Sequence, residues 1–191
     1  MTKPFFLEAD DGELLRRIQQ GDREAAVRLV DRLGPLVQRL VHRLTGWHSE
    51  TQDVIQEVFV AMLRGAGGFR GEAEVSTWVG GIVVNCCRRF VHQRQRRPDT
   101  LPADVETAER PIGSDWELRE HLTMAVGTLR QIDREVIILR YFEGIELTQM
   151  AAILDVTAHA VESRLVTFAE IDLRTDLPND SPRSAFIFVI P

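Results

Sequence analysis

Apolar residues recur along most of the chain at intervals of three and four, and no stretch sustains the alternation of a half-buried strand. The pattern predicts an all-α protein. Leu14, Leu15 and Ile18 make one short stripe. Ala25, Ala26, Leu29, Val30 and Leu33 make a second. Leu36, Val37, Leu40, Val41 and Leu44 continue it beyond Gly34-Pro35, a dipeptide expected to bend or break the helix. Val54, Ile55, Val58, Phe59, Met62 and Leu63 line the next helix, which should end at the Gly65-Ala66-Gly67-Gly68 cluster. After a loop through Phe69-Arg70-Gly71, a further helix carries Trp78, Ile82, Val83, Cys86 and Phe90, runs into Arg94-Gln95-Arg96-Arg97 and stops at Pro98.

The periodicity then lapses. Residues 98–114 are rich in Pro, Asp, Glu, Thr and Ala, the composition of a flexible linker. This divides the chain into two small helical domains, at 10–97 and 115–177, followed by a divergent tail, 178–191. The second domain opens with Leu118, Leu122, Val126 and Leu129, and continues with Val136, Ile137, Leu139, Arg140 and Tyr141. Its last two helices, Leu147–Leu154 and Ala158–Phe168, flank a three-residue break at Asp155-Val156-Thr157. That is the spacing of a helix-turn-helix, whose second helix can lie in a DNA major groove. The apolar run Phe186–Ile190 in the tail is expected to dock on the chain itself, since an exposed run of that kind invites aggregation.

Charge changes this picture more than composition does. The 191 residues carry 23 basic and 29 acidic groups, net −6, but residues 1–100 hold 15 and 13 while residues 101–191 hold 8 and 16. Lys3 is the only lysine, so nearly all positive charge sits on arginines, whose planar fork matches phosphate. Between Arg64 and Arg97 seven arginines face only Glu72 and Glu74. A local excess of this kind is the usual footprint of a polyanion site. The apolar runs are too short for a transmembrane span or a secretory signal, and the cytoplasm is the expected compartment. Cys86 and Cys87 are read as buried structural residues. The five histidines show no paired ligand spacing, so neither a metal nor another cofactor is expected.

The strongest constellation is Phe69-Arg-Gly-Glu-Ala-Glu-Val-Ser-Thr-Trp78, running into Asn85 and then Arg88, Arg89, Arg94, Arg96 and Arg97. Aromatics and arginines so interleaved suit single-stranded nucleic acid: bases stack on rings while guanidinium groups hold phosphates. The competing reading places Trp78 and Phe90 in the core and the arginines on a solvated face.

Asp53-Val-Ile-Gln-Glu-Val-Phe59, Phe-Arg-Gly-Glu, Thr-Trp and Asn85, then a basic helix, a linker and a helix-turn-helix, follow one another in an order that resembles the extracytoplasmic-function (ECF) group of sigma-70 factors. The resemblance covers about residues 10 to 165. It implies a dissociable RNA polymerase subunit with no catalytic residues, directing core polymerase to promoters through the beta-prime clamp and the beta flap. The first domain would bind the clamp coiled coil and melt the minus-10 element, and the second would read minus-35. The linker would run toward the RNA exit path. An anti-sigma factor is a further partner the resemblance allows.

By the same resemblance Asp53, Gln56 and Glu57 belong to the polymerase-binding helix. Phe69, Arg70, Thr77, Trp78 and Asn85 belong to the minus-10 loop and helix, with Arg88 and Arg89 on phosphates. Thr157, His159, Glu162, Ser163 and Arg164 fall in the minus-35 reading head. The chain departs from the family pattern there. Asp155 stands where a turn glycine is usual, Glu162 where a lysine is usual, and Val, Thr and Ala where basic residues trail. Residues 155–174 are net −2, which predicts weak duplex binding by this domain. A helix-turn-helix regulator or a helical protein-binding adaptor that does not act through core polymerase is the alternative.

Overall fold

In the computed structural model the described residues are 11–46, 50–96 and 129–174, with side chains described as far as 167. All their regular structure is helical: α1 Asp11–Gln19, α2 Arg23–Thr45, α3 Thr51–Gly65, a 3-10 turn at Ala66–Gly68, and α4 Val75–Gln95, then α5 Gln131–Ile137 continued by a π turn over Ile138–Phe142, α6 Leu147–Leu154 and α7 Ala158–Arg174. The expected linker, the stripe at Leu118–Val126 and the apolar tail lie outside the described residues.

Helix α2 begins where Asp22 caps it, its Oδ1 accepting from the backbone N–H groups of Glu24 at 2.9 Å and Ala25 at 3.1 Å. The other oxygen accepts from Arg17 at the end of α1, Nε at 2.8 Å, so one carboxylate fixes the corner between two helices. The expected interruption at Gly34-Pro35 does not occur: α2 runs unbroken through Pro35 to Thr45. A helix-interior proline costs about 3 kcal/mol. Leu29, Leu33, Leu36, Val37, Leu40, Val41 and Leu44 are all buried on the same stripe, and each such side chain contributes about 1.5–3 kcal/mol, so the inner face outweighs the defect. Pro35 and Asp31, whose carbonyl loses its donor, are both exposed to water.

Helix α3 buries Val54, Ile55, Val58 and Met62, as its spacing requires, but Leu63 is exposed rather than part of the core. The glycine cluster ends α3 as expected. Cys86 and Cys87 are buried on α4, and burial raises both thiols above their ordinary range. The break between α6 and α7 is built on Asp155, whose φ of 57° makes it the only non-glycine residue with positive φ among those described. Aspartate tolerates this left-handed conformation better than most side chains, which is how the turn forms without glycine.

The two helical groups do not stand apart. One buried cluster runs from Leu14 on α1 to Val161 on α7, and α4 packs against α6. No helix among the described residues is long and apolar enough to cross a membrane.

Candidate polymerase and nucleic-acid interfaces

The inward stripe of α3 leaves Asp53, Gln56 and Glu57 together on its outer side, all exposed. The same outer stripe continues into Val60 and Leu63, 45% and 38% exposed, so carboxylates and an amide are followed by a short apolar ledge. Such a mixed strip suits a protein partner better than a nucleic acid. Residue spacing contains the signal for it, because Gln56, Val60 and Leu63 are four and three apart, but apolarity alone assigns Leu63 to the core.

The loop after α3 is built around two rings. Phe69 and Trp78, both half-buried, lie with centroids 5.1 Å apart at 47°. Trp78 reaches back over the end of α3, where a Cβ on Gly65 would come within 3.2 Å of its ring. From α1, the Gln19 side-chain amide donates to the carbonyls of Ala66 at 2.9 Å and Phe69 at 3.1 Å, tying down the base of the loop. Nothing in the local pattern marks Gln19, since its partners lie 47 and 50 residues away.

Along α4, Trp78, Ile82, Asn85 and Arg89 fall at helical spacing on one face. Asn85, Arg89 and the loop residue Arg70 are exposed. Thr77 is not: it is 5% exposed and lies beneath this surface rather than on it. Arg88 points elsewhere, into a forked contact with Glu135 of α5, its Nε donating to Oε1 at 3.0 Å and its Nη2 to Oε2 at 2.7 Å. That carboxylate holds the Arg88 guanidinium above its ordinary range, against the opposing effect of burial. Arg89 pairs with Glu57 at 2.7 Å.

In the helix-turn-helix, Thr157 caps α7, its hydroxyl accepting from the Ala160 N–H at 3.2 Å. Thr157, His159, Glu162 and Ser163 are exposed on the start of that helix. Arg164 turns back and donates to Asp133 of α5 at 3.1 Å. Over residues 157–167 the exposed charged residue of this helix is Glu162, with Arg164 half-buried.

A ring-lined loop, a basic helix and a helix-turn-helix packed against them together mark a nucleic-acid-binding protein. Residues 29–97 match Sigma-70 region 2, and residues 119–166 match Sigma-70, region 4. The chain is 30% identical over 169 residues to the ECF RNA polymerase sigma-E factor of Escherichia coli K12, covering 81% of this chain and 88% of that one. Two solved structures share the fold, each with a TM-score of 0.60. CnrH in complex with the cytosolic domain of CnrY is 23% identical, over 86% of this chain and 99% of that one. The sigma factor RpoE in complex with the anti-sigma factor NepR from Bartonella quintana is 17% identical, over 73% and 89%. The chain belongs to the ECF group of the sigma-70 family, the RNA polymerase subunits that direct the core enzyme to promoters and start transcription.

Proposed function

We propose that the two regions divide promoter recognition as their surfaces suggest, within domains bounded at about 10–97 and 115–177. Asp53, Gln56 and Glu57 on α3 bind a basic surface of the beta-prime clamp, where carboxylates and guanidinium groups form charge-assisted pairs. Val60 and Leu63 extend that contact with apolar area.

The minus-10 step takes place on the loop and α4. A base leaving the non-template strand needs a ring to stack on and polar edge contacts to be read. The Phe69–Trp78 pair, with Asn85 two helical turns further along the same face, supports this reading more than any other observation. Arg70 and Arg89 hold the flanking phosphates. Thr77, being buried, acts by supporting the Trp78 backbone rather than by touching DNA.

The minus-35 step falls to α7 through Thr157, His159, Glu162 and Ser163, with Arg164 available only if it leaves Asp133. The electrostatic part of that binding is weak, so region 2 carries most of the DNA affinity. No step needs a catalytic group of this chain: the work is binding and strand capture, and bond formation belongs to the polymerase. The site of action is the cytoplasm, where the polymerase is. An anti-sigma factor is a further partner, by analogy with the sigma factor solved with NepR.

Binding to purified core polymerase separates this reading from its alternative. A sigma factor forms a stoichiometric complex with core and binds promoter DNA far better in that complex than alone. An independent helix-turn-helix regulator or adaptor ignores core polymerase.

A further inference from the structure

The loop that carries Phe69 has little of its own to hold it. Its turn, Ala66–Gly68, is closed by one backbone bond, the Phe69 N–H donating to the Ala66 carbonyl at 3.1 Å. A Cβ added to Gly67 or Gly68 would meet nothing within 4 Å beyond its chain neighbours, so no other part of the fold packs against that side of either glycine. Glycine accepts many backbone conformations, and a bare pair of them defines the path of the chain poorly. That path decides where the Phe69 ring goes. Trp78 is fixed independently, because it lies on α4 and rests over Gly65.

Gln19 supplies the missing restraint. Its Nε2 carries two N–H groups and donates to the carbonyls of Ala66 at 2.9 Å and Phe69 at 3.1 Å, the residues on either side of the glycine pair. Two acceptor partners also settle which end of the amide is nitrogen. The donor is itself rigidly mounted. Gln19 ends α1, whose Leu14 and Leu15 are buried in the core, and the chain just beyond turns at Gly21, φ 89°, with Arg17 forked on Asp22. A side chain on such an element places its partners more precisely than one on a loop. Phe69 leaves the clamped turn extended, φ −69° and ψ 120°, and its ring meets Trp78.

We infer that Gln19 is a positioning residue for capture of the minus-10 base: by clamping the two carbonyls it sets the Phe69 wall of the ring pair, and through it the base preference there. The inference rests on the proposed assignment of the loop and α4 to that step. It extends the strand-capture machinery to α1, ahead of the matched residues 29–97. Gln19 acts through Phe69 and touches no DNA itself. A captured base is read only while the surrounding walls keep their spacing, so release of Phe69 loosens stacking and discrimination together.

The test uses the full-length chain with Gln19→Met, which keeps the length of the side chain and removes both donors. In a Trp47→Phe/Trp116→Phe background Trp78 is the sole tryptophan. Its emission should shift to longer wavelength and acrylamide should quench it more strongly, with helicity unchanged. In transcription with core polymerase from a library of random upstream sequences, Gln19→Met should give about three- to tenfold less transcript, the fold-change equivalent to one ordinary hydrogen bond. The selected motif should lose preference at one minus-10 base, while minus-35 preference and core affinity stay as in wild type. Gln19→Lys, whose ammonium donates to the same two carbonyls, should restore emission and preference. An unchanged Trp78 signal, an unchanged minus-10 preference, or an equal loss in Gln19→Lys overturns the positioning role. Asn85→Ala in the same library keeps the two failures apart. If it relaxes minus-10 preference and Gln19→Met does not, only the role of Gln19 falls; if neither does, the assignment of the loop and α4 falls with it.

Discussion

Glu57 of α3 and Arg89 of α4 meet at 2.7 Å, each about half exposed, so the face proposed for polymerase and the face proposed for DNA share an ion pair. Glu57→Ala should move the two activities in opposite directions. Core polymerase affinity should fall, and further when Asp53→Ala is added, with helicity by circular dichroism unchanged. Single-strand affinity should rise by less than about fivefold, because an exposed pair is worth about 0.2–1 kcal/mol. Core affinity at the wild-type level in the double variant counts against the assignment of α3.

Asn85 should matter after the strand has separated rather than during docking. Asn85→Ala is expected to lower permanganate reactivity of minus-10 thymines in the complex with polymerase and to relax base preference at one position, with core affinity unaltered. If neither reactivity nor preference changes, Asn85 is only an exposed helix residue.

Local pattern carried the helices and their order because burial repeats at fixed intervals. It misread Pro35, where seven buried side chains on α2 override a local breaker, and Leu63, where an apolar residue lies on the outer face. Asp155 illustrates the reverse case, a non-glycine turn residue whose left-handed conformation preserves the helix-turn-helix. Polar outward positions such as Asp53, Gln56, Glu57 and Asn85 were legible from helical phase. What phase could not carry was pairing at a distance. Glu135 and Glu143 look like ordinary surface acids until arginines 47 to 104 residues away bury them, and Thr77, in the first turn of α4, is buried although its polarity marks it as a surface residue.

The corner at Asp22 gives stability a defined pH dependence. Its carboxyl is held below the ordinary value of about 3.8, first by the Ala25 N–H and then by Arg17. Because the folded value lies below the unfolded one, the contribution is complete above pH 3.8 and is lost as pH falls through the folded value. Asn is also a good helix cap, so Asp22→Asn isolates the charge. The melting-temperature gap between Asp22→Asn and wild type should be constant near neutral pH and close in acid. A gap that stays constant into strong acid contradicts the role given to the carboxylate.

Glu162, 63% exposed in its side chain on α7, tests whether region 4 enters the groove. If it does, Glu162→Lys in the polymerase complex should raise promoter affinity and steepen its salt dependence by up to about one unit. A carboxylate that accepts from a cytosine amino group would also give up preference at one base, worth about 1–3 kcal/mol. Should affinity, salt slope and preference all stay put, this face of α7 does not meet DNA, and a protein-binding role for it is the better account.

In vitro transcription with purified core polymerase on a library of random upstream sequences addresses the whole account at once. With the wild-type chain, transcripts should appear that core alone does not make, and their templates should share a two-part motif at fixed spacing, stronger at minus-10 than at minus-35. No transcription above core alone, or transcripts whose templates share no motif, would contradict it.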